Sequence, residues 1–199
     1  MSTLSFFRPA LDALNDGKVI RSAIIFSLRI LAVLVVFGGV YLLIDILKAS
    51  FDMRTEGTIG GIIFSVILLS STITIAQIFI HRSSTIQHMD ETPFSFFPVC
   101  SVLVRAFGEA YASLCLAVGM GGCVFMWLAK DNPLYFLGDL VKFLPTVTPE
   151  HTFLGGIFFM AYFVLFSFIS FVVSYFLSEA MILMSHAAKS MHHPLGRTR

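Results

Sequence analysis

Charge is what this sequence has least of. Only 13 % of its 199 residues are Asp, Glu, Lys or Arg, about half the ~25 % usual for a soluble domain. Twelve acidic and 13 basic side chains with six His cannot cover the surface of a soluble fold of this length. Disordered chains need high polarity, and here 57 % of residues are hydrophobic, 22 of them Phe. Cysteine is scarce as well. Three is an odd number and too few for a disulfide scaffold. The formal net charge of +1 leaves no electrostatic footprint for nucleic acid. No GxGxxG, P-loop, GxSxG or HExxH pattern occurs, so nothing points to an enzyme or a bound cofactor.

What is present is hydrocarbon in long runs. A membrane-spanning helix needs about 20 mostly apolar residues. Four segments meet that length: Ser22–Leu47, Ile59–Ile80, Ala110–Ala129 and Thr152–Ser178, the last continuing apolar past Glu179 to Met184. No period-two alternation is sustained. The expected class is all-α, a polytopic membrane protein with four transmembrane helices. Lys and Arg set the orientation. The side holding both termini and the central loop carries nine: Arg8, Lys18, Arg21, Arg29, Arg82, Arg105, Lys189, Arg197 and Arg199. The other side carries Lys48, Arg54, Lys130 and Lys142. Both termini are therefore expected in the cytoplasm.

Residues 3–16 place Leu4, Phe6, Phe7, Leu11 and Leu14 between Arg8, Asp12 and Asp16, the pattern of a short helix lying in the interface. Residues 134–144 in the longest outer loop read the same way.

The two halves repeat. Ile59-Gly60-Gly61-Ile62-Ile63-Phe64 matches Leu154-Gly155-Gly156-Ile157-Phe158-Phe159. Phe6-Phe7 with Arg21 and Gly38-Gly39 matches Phe96-Phe97 with Arg105 and Gly122. Gln77 and Met89 align with Glu179 and Met191 once seven residues are inserted in the fourth span. The organisation expected is two parallel hairpins, 1–92 and 93–199, related by an axis along the membrane normal. Each span carries paired glycines: Gly38 and Gly39, Gly60 and Gly61, Gly121 and Gly122, Gly155 and Gly156. Small residues let membrane helices approach closely.

Polar residues inside the spans fall into stripes. Ser70, Thr74, Gln77 and His81 share one face of the second span, and Ser167, Ser170, Ser174 and Ser178 one face of the fourth. Both stripes are expected to face protein, because unpaired polar groups in hydrocarbon are costly. Glu179 follows 27 uncharged residues from Thr152 and precedes nine more. Its partners by depth are Arg29 and Arg105. Glu109, one turn from Arg105, is expected to pair with it along one helix. His81, His88, His186, His192 and His193 share the cytoplasmic side without the spacing of a metal or haem site. No cofactor or metal is assigned. Cys100, Cys115 and Cys123 read as small apolar residues.

Phe6-Phe7 with Leu11-Asp12-Ala13-Leu14, and the run from Glu179 to Met184, resemble a bacterial family of small two-span membrane hairpins. In that family a surface helix with paired Phe leads into the first span and an acid ends the second. An Arg stands one turn before that acid, where this chain has Tyr175. In the first hairpin Gln77 replaces the acid, with Ile73 before it. The resemblance implies the hairpin and a bacterial inner membrane. The function expected is an accessory or scaffolding subunit that contacts the lipid bilayer and other membrane subunits or a second copy. The alternative is a small homo-oligomeric transporter or channel lined by the Ser/Thr stripes and Glu179.

Overall fold

The computed structural model describes residues 18–53, 55–89, 96–145, 147 and 152–192. The interfacial helix expected over 3–16 lies outside them. The described residues form helices joined by short turns and irregular stretches, with no strand among them. Helix α1 spans Lys18–Phe51, α2 Thr55–Gln87, α3 Phe96–Ala129 and α4 Phe153–His192. All four are long and apolar enough to cross a membrane. The chain is an all-α, multi-pass integral membrane protein whose outer face contacts the bilayer.

Local chemistry sets the helix ends. α1 ends at Phe51 and α2 begins at Thr55, and just past the end of α1 Met53 N–H donates to the Ser50 carbonyl at 3.2 Å. Glu56 sits in the first turn of α2, where a negative charge complements the exposed backbone N–H groups. Lys130 ends α3 in the left-handed conformation, φ 54°. Asn132 then caps a 3-10 segment, Pro133–Phe143, accepting from Leu134 N–H at 3.0 Å. Gly138, at φ 53° and ψ −129°, breaks that segment into two pieces. A side chain would be strained at that backbone conformation. The surface helix expected over 134–144 is thus two short turns folded back onto the bundle. Thr152 caps α4 through Gly155 N–H, 3.0 Å from its hydroxyl.

The helices run antiparallel in chain order, and extensive contact joins only neighbours: α1 with α2, α2 with α3, α3 with α4. The bundle is laid out as a row, with the 3-10 segment touching α1 and α3. Burial follows that order. α3 is the most covered helix, then α2, then α4, with α1 the least. One end of the bundle, along the helix axes, carries Lys18, Gln87, Phe96 and His192 and is called here the terminal end. The other is the loop end. Phe64, Phe125, Phe159 and Phe163 fill the core near the loop end, and Leu28, Phe79, Ile86 and Val102 fill it near the terminal end.

The paired glycines explain how neighbours meet. Adjacent residues on a helix point about 100° apart. On α2, Gly60 therefore faces Phe125 and Leu128 of α3, while Gly61 faces Ser50 of α1. On α3, Gly121 faces Phe64 of α2 and Gly122 faces Phe159 of α4, where an added Cβ would sit 2.6 Å from either ring. Gly39 of α1 is pressed on Thr72, and Gly156 of α4 on Trp127. Gly38 faces open space. Gly155 is buried and donates to Thr152.

Candidate functional site

The densest chemistry lies near the terminal end, where α2, α3 and α4 each contribute charge. Glu109 of α3 receives both Nε and Nη2 of Arg82 from α2, the Nε bond at 3.2 Å. The Tyr175 hydroxyl of α4 donates to the same carboxylate at 2.7 Å. Glu109 is therefore shared by three helices, and its side chain is only 14 % exposed. Arg105, one turn earlier on α3, turns to α4. It pairs with Glu179, donates from Nε to Ser178 Oγ at 2.5 Å, and stacks its guanidinium 5.0 Å from the Tyr175 ring centre. Ser178 is fully buried and bonds Ser101 of α3 at 2.6 Å.

These contacts revise two expectations. Glu109 does not close on Arg105 along its own helix; each takes a partner on a neighbouring helix. A doubly donating guanidinium fits a carboxylate better than an i,i+4 contact does. Glu179 does find Arg105, one of its two expected partners, but its side chain is 62 % exposed. The more enclosed acid is Glu109. Arg29, the other expected partner, donates instead to Gln87 Oε1 at 3.1 Å, and Arg21 to the Gln87 carbonyl at 2.5 Å. Both arginines tie α1 to the last turn of α2, where backbone carbonyls lack helical partners.

The serine stripe of α4 is packed. Ser167 donates to the Ala112 carbonyl of α3 at 2.8 Å, Ser174 donates to Ser170 O at 2.8 Å, and Ser174 is pressed on Gly108. Gly108 has no paired glycine beside it and did not stand out in the sequence. The stripe of α2 behaves otherwise. Ser70, Thr74, Gln77 and His81 are all exposed, on the face of α2 turned away from α1 and α3. Thr74 satisfies its hydroxyl on Ser70 O at 2.9 Å. The two stripes do not face each other, so they do not bound a common path. The rule that polar residues turn inward held for α4 and failed for α2.

Of the histidines, His81, His88 and His186 are exposed, and His88 Nδ1 lies 2.8 Å from Ser84 O. His193 and the side chain of His192 lie outside the described residues. Among the described residues no three His, Cys, Asp or Glu side chains come together as metal ligands.

A second feature was not legible in the sequence. Between α1 and α3, with α2 as its floor, runs a half-open cleft of about 650 Å³. Leu31, Val35, Leu68, Ile75 and Phe107 give it apolar walls. Phe136, Leu137 and Gly138 of the 3-10 segment roof it at the loop end. Tyr111 holds that roof by donating to Phe143 O at 2.8 Å. The cleft exists because α1 and α3 both pack on α2 without extensive contact with each other. No family model, no curated protein and no solved structure matches this chain.

Proposed function

We propose that the protein is a non-enzymatic accessory or scaffolding subunit of a larger assembly in a bacterial inner membrane, with both termini in the cytoplasm. One observation carries this reading: the stripe Ser70–Thr74–Gln77–His81 lies on the outer face of α2. A glutamine amide in hydrocarbon needs hydrogen-bond partners, and a neighbouring transmembrane helix supplies them. The internal charges need no such help, since Arg82, Glu109, Arg105 and Glu179 are paired within the chain. The stripe, with the Gln77 amide at its centre, is polar surface within a span that the fold leaves open to another protein. A transport path along the serines of α4 has less support, because Ser174 and Ser178 are packed against α3.

The test is purification from the native membrane in mild detergent, with mass measurement and identification of everything that co-elutes. A stoichiometric foreign membrane protein is expected, lost in Gln77→Leu and kept in the control Phe176→Leu on the outer face of α4. A homo-oligomer alone overturns the subunit reading. Flux measurements on Glu179→Gln then become the next experiment.

A further inference from the structure

The cleft between α1 and α3 is a different surface from the α2 stripe, and lies on the opposite side of α2. Its volume of about 650 Å³ falls within the ~300–1,000 Å³ typical of small-molecule sites. Its walls are hydrocarbon for most of their length, and its side faces the bilayer. That selects a ligand with an alkyl chain, delivered from the membrane.

The polar groups select the rest. Asp45 of α1 and Asp139 of the 3-10 segment both line the cleft at its loop end. Asp139 already has a cation, Lys142 Nζ at 2.6 Å. Asp45 has no ion-pair or hydrogen-bond partner among the described residues. It stands two residues inside the end of the apolar run at Leu47, exposed, with Lys48 one turn further on. Its negative charge therefore lies at the interface end of an apolar trough, where the head of a membrane amphiphile sits. Gly38 and Gly39 also line the trough, and nothing lies within 4 Å of a Cβ placed on Gly38. The backbone of α1 is bare where a chain would lie. We infer that the cleft binds a membrane amphiphile with a cationic amine head, its alkyl chain along Gly38 and Val35 and its ammonium on Asp45 beneath the 3-10 roof.

The experiment uses the purified full chain in micelles, titrated with octadecylamine, octadecanol and octadecanoic acid and read by native mass spectrometry. Octadecylamine is expected to bind one to one, about 10-fold or more tighter than the acid, the scale of one charge-assisted contact. Asp45→Asn, at an exposed position, should erase the preference for the amine. Gly38→Phe should abolish binding of all three, and Gly38→Leu is the milder filler if the Phe variant does not fold. Equal binding of amine and acid by the unmodified protein would overturn the inference. So would undiminished binding in a folded Gly38 variant, or a foreign polypeptide cross-linked inside the cleft.

Discussion

Tyr175 stands between two charges of opposite sign. Its hydroxyl donates to the Glu109 carboxylate at 2.7 Å, and its ring lies 5.0 Å from the Arg105 guanidinium. One side chain thereby couples the Arg82–Glu109 pair to the Arg105–Glu179 pair and links α4 to α3 twice.

The two acids should differ sharply when neutralised. Glu109→Gln leaves Arg82 enclosed without a counter-charge and is expected to cost about 3 kcal/mol. Glu179→Gln, at a largely exposed position, should cost less than about 1 kcal/mol. Denaturation of the two variants side by side in one detergent checks the order. Equal losses would mean that Glu109 is not the enclosed acid.

Tyr175 can be dissected with two substitutions. Tyr175→Phe removes the bond to Glu109 and keeps the ring beneath Arg105, so a loss of about 1 kcal/mol is expected. Tyr175→Leu removes both and should cost more by about another 1 kcal/mol. The same denaturation assay reads the step between them.

The glycine pairs give a positional contrast on adjacent residues. Gly39→Val drives a side chain into Thr72, and Gly121→Val drives one into Phe64. Each should destabilise by about 1–3 kcal/mol, the range for overpacking. Gly38→Ala meets open space and should be neutral or slightly stabilising, because alanine is the better helix former. Thermal unfolding monitored by circular dichroism distinguishes the two behaviours.

Ser65 is 2 % exposed, and its hydroxyl is the buried side-chain oxygen without a hydrogen-bond partner among the described residues. Removing an unsatisfied group removes its desolvation cost. Ser65→Ala should therefore raise stability by about 1 kcal/mol. A fall in unfolding temperature would show that the hydroxyl has a partner.

The spans were readable because hydrocarbon thickness translates directly into run length. Their ends were not. The third run reads as Ala110–Ala129, yet α3 begins at Phe96. Arg105 and Glu109 interrupt the apolar run, and their neutralisation comes from Arg82, Tyr175 and Glu179 on other helices. Hydropathy along one helix contains no trace of a partner 27 positions away. The glycine pairs declared close packing but not which neighbour each residue serves; that depends on the order of helices in the row. Periodicity grouped Ser70 with Gln77 correctly and could not say which way the group faced.

Extensive contact between long helices joins only chain neighbours, and this also bears on biosynthesis. Each helix leaving the ribosome finds its packing surface on the helix made just before it. No span waits in the lipid for a remote segment to be translated, so loop-closure entropy stays low at every step. The charges follow the same calendar. Arg82 is unpaired only until Glu109 emerges, and Arg105 only until Glu179 follows. This order of contacts lets each helix pack against its predecessor as soon as it is inserted.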